Sequence, residues 1–241
     1  MKVEQLFTDL EEFMIIKTTD YHFNAKAEKD LTFIFVSDLH CCDTDPIIEA
    51  IMGYHPDAVL VGGDFIHSAA LYKQGFEFLR RSSSAFPTIC CLGNHEWRFK
   101  GDVKRAIRET GAILLDDSHL NFHGIAIGGL TSAYSQKKKI PNVEWLKEFS
   151  NIDSYKILLC HHPEYYDRYI KEMDIDLILS GHAHGGQWRF FGRGVYAPGQ
   201  GIFPKYTGGL YDGRLLVGRG AGNPHVIPRI NNDPEILCIQ L

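Results

Sequence analysis

No stretch of this chain is long and apolar enough to serve as a signal peptide or membrane span. The run Phe13-Met14-Ile15-Ile16 is too short and lies among acidic residues and threonines. Long basic runs are missing too. Lys137-Lys138-Lys139 is the single cluster, expected in a solvated loop, and the formal net charge is −5, so no specific nucleic-acid binding is expected. There is no C-x-x-C spacing. The six cysteines, Cys41, Cys42, Cys90, Cys91, Cys160 and Cys238, mostly end apolar runs, which argues for buried thiols in a reducing compartment, the cytoplasm, rather than a disulfide framework. No internal repeat, low-complexity segment or convincing linker breaks the 241 residues. That length suits one α/β domain or two small ones, and a single domain over residues 1–241 is expected, with 1–30 as its least informative segment.

What the chain does have is a regular succession of short apolar runs. With 44% hydrophobic residues it can bury a substantial core. Phe13 to Thr19 reads as an edge strand, and the pattern becomes regular from Leu31. Leu31 to Ser37 is a strand running into Asp38-Leu39-His40, and Ala58 to Val61 runs into Gly62-Gly63-Asp64. Pro87 to Leu92 runs into Gly93-Asn94-His95-Glu96. Helices are predicted over Pro46–Gly53, Leu71–Arg81 and Asp102–Thr110, so the first half forms β-α-β units with a parallel sheet. Ala112 to Leu115 is a further strand, Leu120–Gly124 with Ile125–Gly128 a hairpin, and Val143–Phe149 a short helix. Lys156 to Cys160 leads into His161-His162-Pro163, and Asp176 to Ser180 into Gly181-His182-Ala183-His184. After Gly185, glycines and aromatic residues interleave, which predicts short strands and turns.

The polar residues gather where those strands stop. In open α/β sheets, catalytic groups lie just past the carboxyl ends of the strands. In Gly93-Asn94-His95-Glu96, the glycine permits a tight turn, the amide offers an oxygen to a cation, and the histidine carries a proton near neutral pH. Glu96 sits beside that histidine and is expected to orient it. Asp38, His40, Asp64, Asn94, His161, His182 and His184 form a mixed nitrogen and oxygen donor set that suits divalent transition metals. Seven candidate ligands exceed what one ion takes from protein and suit two ions about 3.5–4 Å apart. Asp64, alone on its strand end, is the natural bridge. An extended backbone would turn both members of Asp38-x-His40 and of His182-x-His184 to one face. His22, His55, His67, His119 and His123 have no such context and are expected to be structural or on the surface, and His162, next to a ligand candidate, reads either way, pointing elsewhere if the backbone is extended.

These five blocks, in this order and spacing from about residue 31 onward, resemble the motifs of calcineurin-like metallophosphoesterases. Gly185-Gly186-Gln187, Tyr196-Ala197-Pro198-Gly199, Gly209-Leu210-Tyr211 and Arg219-Gly220 are similar to a bacterial branch of small predicted phosphohydrolases. The resemblance implies an α/β fold of four layers, αββα, in which two mixed β-sheets pack together with helices outside. It implies that Asp38, His40 and His184 hold one metal, that Asn94, His161 and His182 hold the other, and that Asp64 bridges them. His95 would stand apart as a catalytic group, with Asn94 helping to polarise the phosphoryl group. Manganese is the expected metal, with iron, zinc, nickel and cobalt as alternatives.

The chemistry expected of such a site is hydrolysis of a phosphodiester or pyrophosphate. A hydroxide held between the metals would attack, and His95 as imidazolium would protonate the leaving oxygen. Phe190, Phe191, Phe203 and Tyr206 read either as a packed flap or as an apolar wall that receives a lipid or nucleobase, so a small phosphoester with an apolar moiety is the expected partner. Two readings from other classes are a catalytically silent binding scaffold of the same fold, and a redox or metal sensor built on Cys41-Cys42 and Cys90-Cys91.

Overall fold

The computed structural model describes residues 16–40, 42–132, 140–223 and 228–241. Strands β1 (Lys17–His22) and β2 (Thr32–Val36) lead into helix α1 (Asp45–Tyr54), then β3 (Ala58–Val61), α2 (Lys73–Ala85), β4 (Thr88–Cys90), α3 (Val103–Glu109) and β5 (Ile113–Leu114). β6 (Ser118–Phe122) and β7 (Ile125–Leu130) form the predicted hairpin, followed by α4 (Val143–Ser150), β8 (Tyr155–Cys160) and β9 (Leu177–Ser180). Four two-residue strands come next: β10 (Arg189–Phe190), β11 (Arg193–Gly194), β12 (Tyr196–Ala197) and β13 (Gly201–Ile202). β14 (Gly209–Tyr211), β15 (Leu215–Val217) and β16 (Glu235–Gln240) complete the chain.

The helices start where the sequence supplies caps. The Asp102 side chain accepts the Arg105 N–H at 3.0 Å, and that of Asn142 accepts the Trp145 N–H at 3.2 Å, each satisfying a first-turn donor. Pro46 occupies the first turn of α1, where no N–H is needed.

The strands assemble into two six-stranded sheets, one in the order β1-β16-β2-β3-β4-β5 and one in the order β14-β15-β9-β8-β7-β6. β2 to β5 run parallel, as do β7, β8, β9 and β15, while β16 joins β2 antiparallel. Strand periodicity divides β2 cleanly. Ile34 and Val36 face a helical layer with Ile47, Ile51, Phe78 and Ile107, whereas Phe33 and Phe35 face the second sheet. Between the sheets, Leu60 and Ile89 meet Ile127, Ile157, Leu159 and Leu179. On the far side Leu146 and Phe149 of α4 cover Leu158, Cys160 and Ile178. Four layers, helix–sheet–sheet–helix, therefore stand as the resemblance implies.

Some expectations shift. β1 is an edge strand as predicted but extends to His22, and Phe13 to Ile15 lie outside the described residues, as do Lys137 to Lys139. Past Gly185 the short strands are present, yet β15 and β16 are fully built into the two sheets. Leu215 to Val217 and Ile236 to Ile239 are buried, so the glycine-rich tail closes over core rather than trailing from it.

Candidate metal centre

The ligand candidates leave the strands through turns that bend sharply. Asp38, His40, Asp64, His182 and His184 have φ of 54°, 44°, 52°, 65° and 46°. That left-handed region is uncommon outside glycine, and Asp and His are among the residues enriched there. The backbone holds them there: the Asp38 N–H donates to the Gly63 carbonyl and the His40 N–H to the Asp64 carbonyl, both at 3.1 Å. The Asp38 carboxylate in turn accepts the His182 N–H at 3.0 and 3.1 Å. Extended backbone is thus not what turns Asp38 with His40, and His182 with His184, toward one cleft. Left-handed turns do it. Gly93 also differs from expectation. A Cβ there would sit 2.2 Å from Asp64 Oδ1, so its role is to admit the neighbouring carboxylate.

Among the described residues the turns collect four overlapping groups of ligand atoms, each with its donor atoms within 4.8 Å of one another. Asp38, His40 and His184 form one, Asp64, His161 and His182 a second, and around these lie His40 with His67 and His95, and His162 with Glu164 and His182. Asp64 Oδ2 lies 3.1 Å from His161 Nε2 and 3.9 Å from His40 Nε2, so it reaches both of the first two groups. His184 Nε2 is 3.5 Å from Asp38 Oδ1 and 3.3 Å from His40 Nε2. His161 Nδ1 donates to the Gly62 carbonyl at 2.7 Å, which directs Nε2 into the centre. Asn94 is buried, and its Oδ1 has no hydrogen-bond partner among the described residues. A buried amide oxygen without a donor, beside two carboxylates and four imidazoles, fits a cation.

Burial sets the protonation states. His40, His182 and His184 are held well below the usual imidazole value, because a charged ring would lose its hydration, so each is neutral and offers a lone pair. Burial would also lower His161, but the Asp64 and Asp38 carboxylates outweigh it and raise His161 to about 10. Burial pushes Asp38 up to about 6. Asp64 goes the other way, held well below the usual carboxylate range by His161 despite its burial. Without a cation, the His161 proton balances the Asp64 charge.

Several side chains take other roles than expected. Glu96 does not orient His95. It is fully buried and accepts backbone N–H groups from Gly93 at 2.7 Å, Asp64 at 2.9 Å and Ile66 at 3.3 Å, tying two ligand turns together. The His67 carbonyl accepts His95 Nδ1–H at 2.6 Å instead, and the His67 ring lies 3.4 Å from His40 Nδ1, so His67 belongs to the centre rather than to surface or structure. His162 stays within the site. Its ring packs 4.3 Å from that of His182 and bonds Ser132 Oγ at 2.7 Å, with Glu164 3.3 Å from its Nδ1. No residue pattern singles out Glu164, although it follows His161 by three residues. Burial drives the Cys90 and Cys91 thiols upward, so they stay protonated, which argues against a redox role for that pair; Cys41 of the other pair lies outside the described residues.

Above the centre opens a pocket of about 570 Å³. Asn94, His95 and His182 line it from within, while Arg98 and Arg168 line it as exposed residues and Tyr196 comes from β12. Of the four bulky flap residues, Tyr206 is buried in the core beside Tyr166, whereas Phe190, Phe191 and Phe203 are exposed; neither a packed flap nor a wall of the pocket describes them.

Comparison with known proteins agrees with this construction. The calcineurin-like phosphoesterase model matches residues 31–186. The uncharacterized protein YpbG of Bacillus subtilis is 29% identical over 224 residues, covering 90% of this chain and 83% of its own. Phosphodiesterase YaeI of Escherichia coli is 26% identical over 234 residues, covering 86% of this chain and 81% of its own. The uncharacterized metallophosphoesterase Cj0846 of Campylobacter jejuni is 31% identical over 242 residues, 89% of this chain but 60% of its own, so the chain spans under two thirds of that relative. A family model spanning more than half of the sequence, on a four-layer fold whose strand ends gather histidine and aspartate, makes this chain a member of the calcineurin-like phosphoesterase family.

Proposed function

We propose that the protein is a dinuclear metal-dependent hydrolase of phosphodiesters or pyrophosphates. The observation that carries this reading is Asp64 Oδ2, which lies within reach of both His40 and His161. Asp38, His40 and His184 would hold one ion, Asn94, His161 and His182 the other, with Asp64 between them. Manganese is the metal we assign. When bound, the ions supply a water of lowered pKa and positive charge opposite the phosphoryl oxygens. The residues of the chain do the rest. His95, fixed through Nδ1 by the His67 carbonyl, presents Nε2 to the leaving oxygen and protonates it. Arg98 and Arg168 meet the negative charge of the incoming phosphoester. Tyr196 and Pro198 offer apolar surface to the rest of the substrate.

The name of the E. coli relative, a phosphodiesterase, supports the diester over a monoester. Cys90, Cys91, Cys160 and Cys238, buried as free thiols, support a cytoplasmic setting, and no helix among the described residues is long and apolar enough to cross a membrane. The shared core between the sheets supports a single domain. The test is reconstitution. Metal-stripped protein given manganese should bind two ions per chain and hydrolyse an aryl phosphodiester, and chelation should abolish turnover. Two bound ions with no turnover across a panel of diesters, nucleotides and sugar-nucleotide lipids would favour the silent scaffold.

A further inference from the structure

The two hairpins beside the pocket carry their largest side chains into water. Phe191 is fully exposed at the turn between β10 and β11, and Phe203 and Ile202 at the end of β13 are 81% and 72% exposed. Phe190 and Tyr196 are half exposed on the same pair of hairpins. The hairpins are joined: the Phe203 N–H donates to the Val195 carbonyl at 2.8 Å, and Val195 links β11 to β12. An apolar group of this size is unusual for a surface with nothing to bind. Charge sets it apart as well. From Gly185 to Tyr211 there are three cationic residues, Arg189, Arg193 and Lys205, and no carboxylate, in a chain of net charge −5. Lys205 is answered by Asp167 at 2.8 Å, but Arg193, exposed and paired through its backbone with Phe190, has no carboxylate partner among the described residues.

We propose that this flap docks the protein on an anionic lipid bilayer. Separate aromatic knobs on two turns fit a fluid surface that closes around each of them, with arginine at the depth of the headgroups. The flap is continuous with the pocket, because Tyr196 and Pro198 of the second hairpin line it. Docking therefore brings the pocket mouth to the bilayer surface. If the proposed hydrolysis holds, the substrate is a phosphoester presented by a lipid, but the docking stands or falls without it.

The test is sedimentation of the purified chain with vesicles of phosphatidylcholine, alone or with phosphatidylglycerol added. The protein should pellet with the anionic vesicles, less so as salt rises, and Trp188 beside β10 should be quenched by brominated lipid. F191S/F203S should raise the lipid concentration for half binding about tenfold or more, and R193E should remove the preference for phosphatidylglycerol. Circular dichroism and bound metal, unchanged in both variants, would show that the fold is intact. Lack of pelleting with anionic vesicles would overturn the proposal, as would a double variant that pellets like the parent. So would a dimer in sedimentation velocity that the double variant abolishes without any lipid binding.

Discussion

Replacing His95 by asparagine separates acid catalysis from architecture. His95 Nδ1 donates to the His67 carbonyl at 2.6 Å, and Nε2 sits 3.9 Å from Asp64 Oδ2, on the pocket side. An asparagine amide occupies the place of Nδ1 and can keep the bond to His67, while Nε2 disappears. The fold and both metals should survive. Turnover should fall about 10²–10⁴-fold, which corresponds to about 2.7–5.4 kcal/mol of transition-state stabilisation. The loss should depend on the leaving group, since a nitrophenolate departs unaided and an alkoxide needs its proton. An alkyl diester should therefore suffer the full loss and a nitrophenyl diester only a small one, read as kcat/KM for parent and variant. Burial lowers His95 from the ordinary 6.5, so its acid form is lost as pH rises past that depressed value. The parent should lose alkyl-diester activity along the same limb, and the nitrophenyl profile should lack it. Equal losses on both substrates would refute the general acid and leave His95 as a positioning group.

Asp64→Ala should strip both ions, whereas His161→Ala should deplete mainly one; two tightly held ions in Asp64→Ala, by elemental analysis after gel filtration, would refute the bridge. Gly93→Ala places a Cβ 2.2 Å from Asp64 Oδ1 and 2.7 Å from the Asp64 backbone nitrogen, so the Asp64 turn and its carboxylate must move about an ångström, and kcat/KM should drop about 10²-fold with an unchanged circular dichroism spectrum. Activity within about twofold of the parent would mean that Asp64 has room to shift. Because His161 is protonated up to about 10 and metal needs its bare Nε2, binding at pH 7 should release a proton, and affinity should rise with pH toward that value. Calorimetry in two buffers of different ionisation enthalpy measures this, and zero proton release would show that His161 is already neutral.

The strands were legible because they are buried on both faces and read as unbroken apolar runs, and their carboxyl ends mark the ligand candidates. The caps Asp102 and Asn142 stand where the chain turns into helices. What stayed hidden was anything decided by a partner far along the chain. Leu215-Leu216-Val217 is a core strand because β9 and β14 flank it, and three residues among glycines carry little periodicity. Glu96 sits beside His95 in sequence, yet its carboxylate is claimed by N–H groups from Asp64 and Ile66, some thirty residues away. His67 lies three residues past Asp64, beyond the strand end that draws attention, and its carbonyl, not its imidazole, holds His95. A backbone acceptor leaves no mark in residue type.

β16 gives the molecule a timetable. It sits between β1 and β2, pairing Leu237 with Phe35 and Thr19 in one register, and β1 has no other strand partner among the described residues. During synthesis, β2 to β5 can assemble with their helices while β2 keeps an open edge of unpaired N–H and carbonyl groups. That edge stays available to other chains until about two hundred further residues have left the ribosome, since Phe35 waits for Leu237. Closing so long a loop is slow, and the two sheets cannot pack fully before it closes. The nascent chain therefore stays prone to aggregate until β16 has been made, and a chaperone that covers a strand edge would protect it best up to that point.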